Sequence, residues 1–235
     1  MLDHLQSFIR NKTARAVGLI FACCGFVFGS WASLIPYVKE KFALDEAQLG
    51  LLLLSMPMGV LFFNPVSVIF IRRYGSVLIS MLAVAMMGIT FMLPIVLPNI
   101  ILVVVGLILG GAAFSVTNVA MNTWASTLEE SSGLRIMSSC HGMWSLGAMG
   151  GALFSGLSLK PLSDCCQQTL PPQVIYVMLQ ALLVLLIIFL LRNHLQVISG
   201  LYVKSEDGPK MNWRSFKPGK ELWMIISICL CTYLT

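Results

Sequence analysis

Residues 117–156 read TNVAMNTWASTLEESSGLRIMSSCHGMWSLGAMGGALFSG. This is the end of one apolar run, a charged turn at Glu129, Glu130 and Arg135, and the start of the next apolar run. Four uncharged polar side chains, Asn118, Asn122, His141 and Ser145, gather here inside segments otherwise hydrophobic enough to lie in lipid. The pattern predicts two membrane helices joined by a short polar turn, and it marks where a small polar molecule would be handled.

The rest of the chain repeats that unit. Of 235 residues, 57% are apolar and only 11% are charged, with a mean hydropathy of +0.87. Water-soluble domains carry about 25% charge, and here the charges cluster between apolar runs. The composition predicts an all-α integral membrane protein. A spanning helix needs roughly 20 mostly apolar residues, because the hydrocarbon core is about 30 Å thick and a helix rises about 1.5 Å per residue. Six runs meet or nearly meet that length, at 16–37, 49–71, 77–97, 100–123, 136–159 and 174–191, and a seventh begins near Leu222. Bulky residues continue through Trp31 and Pro36, so the first run reads as a retained helix rather than a cleaved signal peptide.

Charge placement orients the spans. With the N-terminus in the cytoplasm, twelve of the fifteen Lys and Arg residues fall inside and only Lys39, Lys41 and Lys160 fall outside, as the positive-inside rule demands. The net charge of +5 therefore reports topology and contact with anionic lipid. No basic run is interleaved with stacking aromatics, so no nucleic-acid partner is expected.

The segment 192–220 carries six basic residues together with Gly200, Gly208, Pro209, Pro218 and Gly219, the composition of a cytoplasmic linker. The expected domains are a six-helix bundle at 1–192, a linker at 193–220 and the start of a seventh helix at 221–235. The cysteines Cys23, Cys24, Cys140, Cys229 and Cys231 fall within spans or at their ends, as packing groups. Cys165 and Cys166 read as plain loop thiols, since no His stands at zinc-ligand spacing. No metal or cofactor is implied. No phosphate loop and no His-Glu-x-x-His occurs, so enzymatic chemistry has no support in the sequence.

Three stretches give the chain a resemblance. They are G-S-W-A-S-L-I-P-Y-V-K at 29–39, followed by A-Q-L-G at 47–50; I-R-R-Y-G-S at 71–76; and N-V-A-M-N with the following E-E-S-S-G-L-R and H-G-M-W-S-L-G-A, within 118–148. At this spacing the chain resembles the N-terminal half of a major facilitator superfamily transporter. More closely, it resembles a bacterial inner-membrane branch near the fucose:proton symporters. The resemblance implies two six-helix bundles rocking about a central solute cavity, in a protein of about 400 residues of which this chain would be a fragment. A second six-helix bundle, a small-molecule solute and protons are the partners it implies.

Departures from the family pattern bear on mechanism. The turn between spans two and three usually reads G-x-x-x-D-R-x-G-R-R and latches a cytoplasmic gate. Here Arg72 stands at the Asp position and Ser76 at the following basic one, leaving Arg73 and Gly75 as the matches. Arg72, Arg73 and Gly75 are the candidate gate residues, with simple retention of the loop on the cytoplasmic side as the plainer role. The symporters carry a Glu four residues before an Asn in span four; here that position is Asn118, four before Asn122. The span-one Asp of those proteins falls on Ala32. An amide binds solute but cannot titrate.

His141 is left as the side chain within the spans that could cycle its charge. Its plainer role is a neutral bridge to span four near Asn122 or Glu130. Four-residue spacing puts Asn118 and Asn122 on one face, and His141 and Ser145 on another, with Trp144 alongside. Amides, imidazole, hydroxyl and indole suit a hydroxyl-rich ligand, and Trp31 could add a second ring or serve as an anchor or packing group. Gly106, Gly110, Gly111, Gly147, Gly150, Gly151 and Gly156 read as packing positions. The drug-antiporter pattern needs a Gly-Pro pair where this chain has Met149-Gly150-Gly151. The function expected is secondary transport of a small polar solute, a sugar or related hydroxylated metabolite, in the cytoplasmic membrane. A sensor or scaffold that keeps the fold is the alternative.

Overall fold

The computed structural model describes residue 8, residues 10–165 and scattered positions between 174 and 185, all within one compact unit, Met1–Leu201. The expected sixth span falls mostly outside the described residues. The linker at 193–220 and the seventh span at 221–235 lie wholly outside them.

Every element among the described residues is helical, and local chemistry sets the ends. Asn11 caps α1 (Lys12–Ala32) by accepting from the Thr13 and Ala14 amides at 2.9 and 3.1 Å, which satisfies donors the first turn leaves free. Pro36 has no amide hydrogen and its ring crowds the carbonyl four residues back. The chain accordingly breaks after α1 and restarts as α2 (Ile35–Lys41). Asp45 and Gln48 then form a reciprocal capping box at the start of α3 (Glu46–Tyr74), with bonds of 2.8 and 3.1 Å.

Gly75 joins α3 to α4 (Ser76–Thr90) at φ +81°, a backbone region that costs a residue with a Cβ. Pro94 opens the short α5 (Leu93–Val96). Asn99 caps α6 (Ile100–Ser132), whose far end closes on Gly133 in the left-handed conformation, φ +68°. Across that turn, the Glu129 carboxylate accepts from the Ile136 and Met137 amides at 2.6 and 2.9 Å. An anion at an N-terminus is favourable, and this one starts α7 (Met137–Cys165).

The first five expected spans thus become α1 with α2, α3, α4 with α5, α6 and α7. The segments Lys12–Lys41, Glu46–Tyr74, Ser76–Val96 and Ile100–Ser132 are long and apolar enough to cross a membrane. The helix α7 has the length, 29 residues, but is not among these four. Its serines, glycines and His141 dilute the hydropathy that its leucines and methionines supply.

Two tight parallel pairs build the bundle. Along α1 and α7, a Cβ on Gly25 would fall on the Trp144 carbonyl and one on Gly29 on the Ala148 carbonyl. In return, a Cβ on Gly147 would strike the Ala22 carbonyl and one on Gly151 the Phe26 carbonyl. Residue numbers rise together on both helices, so the two run parallel. The Ser30 hydroxyl donates to the Gly151 carbonyl at 3.2 Å, and Ser155 donates to the Ser30 carbonyl at 3.3 Å. Gly59 of α3 and Gly111 of α6 interlock in the same way, against the Ile108 and Met56 carbonyls. Small residues allow such approach between membrane helices.

The expected packing role therefore falls on Gly111, Gly147 and Gly151 through backbone contact. Gly106 and Gly110 instead make room for the Leu93 and Phe91 side chains. Gly150 has only the Phe26 ring at 3.8 Å, and a Cβ on Gly156 would meet nothing.

At the opposite end from Gly133, Lys41 ties α2 to the end of α5. Its Nζ donates to the Ile95 and Leu97 carbonyls at 2.6 and 2.7 Å, groups the helix end leaves without intrahelical partners. Lys39 and Glu46 form an ion pair across the turn into α3.

Candidate functional site

The amide pair on α6 is the centre of the site. Asn118 is exposed and Asn122 half-buried, and the Asn122 Nδ2 donates at 2.8 Å to both the backbone carbonyl and the side-chain oxygen of Asn118. That bond orients both carboxamides. It leaves the Asn118 Nδ2 as a donor and the Asn122 Oδ1 as an acceptor, one turn apart, for an external partner.

On α7, His141 and Ser145 are both exposed, and the Ser145 Oγ donates to the His141 carbonyl at 3.2 Å. The imidazole stands edge-on to the fully buried Phe21 ring, with centroids 5.4 Å apart and planes at 79°. Its nitrogens make no hydrogen bond to another described residue. The bridge to Asn122 or Glu130 that the sequence left open is absent among those residues.

An aromatic row links the two polar groups. Phe114, one turn before Asn118, lies 5.4 Å from the Phe28 ring of α1, and Phe28 lies 5.8 Å from Trp144 beside Ser145. All three rings are half-buried. The surface of the bundle thus runs from amides over aromatic faces to imidazole and hydroxyl. Such a surface exchanges hydrogen bonds at both ends and packs a ligand's apolar side between them.

Trp31 does not join this row. It is 3% exposed, and its ring lies 5.7 Å from that of Phe91, the residue that follows α4, so it packs the bundle. The sequence reading missed Phe28 and Phe114. Spacing could have found Phe114, which stands four residues before Asn118; Phe28 leaves no such signal within an apolar span.

The turn between α3 and α4 places the three gate candidates together. Arg72 and Arg73 are exposed, and the Arg73 guanidinium lies over the Tyr74 ring at 5.4 Å. Neither arginine pairs with a carboxylate among the described residues, and Gly75 supplies the positive-φ joint. No group of His, Cys, Asp and Glu that could hold a metal ion occurs among the described residues.

The chain is 30% identical over 195 residues to an uncharacterised MFS-type transporter of Yersinia pestis, covering 81% of this chain and 47% of that protein. It is 34% identical over 148 residues to the membrane protein MosC of Rhizobium meliloti, covering 63% of this chain and 36% of the relative. An uncharacterised transporter of Sinorhizobium fredii is 35% identical over 142 residues, 59% of this chain and 37% of that one. The chain spans less than half the length of these curated relatives. No solved structure matches it. The profile described as Major Facilitator Superfamily matches residues 17–235, almost the whole chain. A multi-pass helical bundle with parallel α1–α7 and α3–α6 pairs agrees with that match, and the chain belongs to the major facilitator superfamily.

Proposed function

We propose that this chain is the N-terminal part of a secondary active transporter that moves a small polar solute, with sugars the favoured class, across the cytoplasmic membrane by alternating access. The amide pair carries the reading. Two carboxamides locked by their own hydrogen bond present one donor and one acceptor to the surface of an otherwise apolar helix. Leaving such groups in lipid costs several kcal/mol by order of magnitude, so their place is beside water or a polar ligand. Aromatic rings at Phe28, Phe114 and Trp144 support the sugar class, and the names of two of the relatives support transport.

In this reading Asn118, Asn122, His141, Trp144 and Ser145 contact the solute, His141 carries the coupling proton, and Arg72, Arg73 and Gly75 belong to the gate. The N-terminus faces the cytoplasm, as the basic residues favour. The placement near the fucose:proton symporters rests on the motifs within 29–148.

The test is uptake of a panel of radiolabelled sugars into cells overproducing the full-length protein, with and without an uncoupler. Replacing Asn118 and Asn122 together by Leu is expected to abolish uptake while membrane insertion and amount stay at the parent level. Unchanged uptake in that variant overturns the assigned site. A parent protein that moves none of the panel points to the sensor or scaffold reading or to a solute of another class.

A further inference from the structure

One hydroxyl in the bundle breaks a rule that all its counterparts obey. The buried hydroxyls of Ser30, Ser55, Ser67, Ser80, Thr90, Thr117 and Ser155 each donate to a backbone carbonyl. In an apolar surrounding this is the ordinary way for serine and threonine to satisfy themselves. Ser115 of α6 is 3% exposed, and its Oγ has no hydrogen-bond partner among the described residues. It does not bond to the Gly111 carbonyl, four residues back, although Thr117 makes the equivalent bond to Ala113 at 2.8 Å. A buried hydroxyl without a partner costs roughly 1–3 kcal/mol, which a helix carbonyl within reach would remove.

Position explains the exception. Ser115 stands three residues before Asn118 and seven before Asn122, so the three lie on one face of α6. It also stands one turn beyond Gly111, where α3 and α6 touch backbone to backbone at Gly59. Past that contact residues 61–65 of α3 are all exposed, as is Asn118 on α6. Ser115 is therefore buried one turn beyond the interhelical contact, on the face of α6 whose next turns carry the two amides.

We propose that the Ser115 hydroxyl is a solute-binding group at the inner end of the Asn118–Asn122 strip, and that it takes a hydroxyl of a polyol or sugar. This rests on the amide strip being the solute site. A serine Oγ both donates and accepts, so it matches a solute hydroxyl and rejects an analogue in which that hydroxyl is missing.

Two measurements on the full-length protein in membranes test it. First, Ser115→Cys is treated with the small cationic thiol reagent 2-aminoethyl methanethiosulfonate and the adducts are counted by mass against the parent, which carries the same native cysteines. One additional adduct is expected, and none overturns the proposal. Second, Ser115→Ala and Ser115→Thr are compared for uptake of whichever panel sugar the parent moves. Loss of one neutral hydrogen bond should raise KM roughly three- to tenfold in the alanine variant, with the maximal rate kept. The threonine variant, which keeps the hydroxyl, should stay near the parent KM. An alanine variant with unchanged KM also overturns the proposal.

The outcomes separate this inference from the one it rests on. If Asn118→Leu with Asn122→Leu abolishes uptake while Ser115→Cys stays unlabelled, the strip stands and Ser115 is excluded from it. If the parent moves no sugar of the panel, the sugar class falls, and labelling alone decides whether Ser115 lines an aqueous route.

Discussion

Asn118 and Asn122 show what a single sequence makes legible at the scale of residues. Four-residue spacing put both amides on one face, and the bond between them, 2.8 Å, is the contact that spacing implies. Glu129 shows what spacing hides. From the sequence it only marked the end of the fourth span; in the structure its carboxylate turns across the loop to hold the Ile136 and Met137 amides. Ile136 and Met137 lie beyond the break at Gly133, where the helix of Glu129 has ended, so no helical periodicity announces them. Glu129→Ala should destabilise the bundle by about 0.5–2 kcal/mol, as loss of a helix cap does. Glu129→Gln, which keeps an acceptor oxygen, should lose less. Thermal unfolding of the purified protein in detergent checks both, and equal losses in the two variants would assign the effect to charge rather than capping. Trp31 belongs with Glu129: whether an aromatic side chain in an apolar helix meets ligand or a neighbouring ring depends on the rotation of that helix, which here sets it on Phe91.

At the scale of elements, the glycines were readable as a class but not one by one. Gly25, Gly29, Gly147 and Gly151 recur at four-residue intervals on two helices, and the structure brings the two rows together with each Cα hydrogen over a facing carbonyl. Gly156 belongs to the same helix and meets nothing, a difference set by helical phase, since Gly156 turns off the face on which its neighbour Ser155 still bonds to Ser30. A leucine at Gly151 would have to displace the Phe26 carbonyl, which is backbone and cannot rotate aside. Gly151→Leu should therefore cost at least about 3 kcal/mol, the upper end of ordinary overpacking. Gly156→Leu should be silent within about 0.5 kcal/mol. Melting temperature and the monodisperse fraction on size exclusion in the same detergent separate the two. Equal behaviour of the variants would mean that α1 and α7 do not interlock through these residues. The same glycines and serines explain why α7 reads as a weaker membrane span than its length allows. The residues that let it approach α1 are those that lower its hydropathy.

For the whole molecule, the family was legible because its motifs fall at consistent spacing from Gly29 to Ala148, and the superfamily match over 17–235 agrees. Solute and coupling were not, since the resemblance to the fucose:proton symporters implies a Glu at the position of Asn118 and an Asp at that of Ala32, and this chain has neither. No Asp or Glu lies deep within the first five spans, and Glu129 is engaged as a cap. The imidazole of His141, exposed and free of hydrogen bonds to the described residues, is the proton carrier we propose. Two transport modes separate proton carriage from solute binding. Net uptake against a gradient requires the carrier to release its proton on each cycle, whereas exchange of labelled for unlabelled solute can proceed with the proton retained. His141→Gln keeps a polar side chain of similar reach but cannot titrate. It should lose uncoupler-sensitive accumulation by at least tenfold and keep exchange within about threefold of the parent, the change expected from one neutral hydrogen bond. Accumulation that persists in His141→Gln and still collapses with the uncoupler would move the proton carrier off this histidine. Loss of both modes would make His141 a solute contact first.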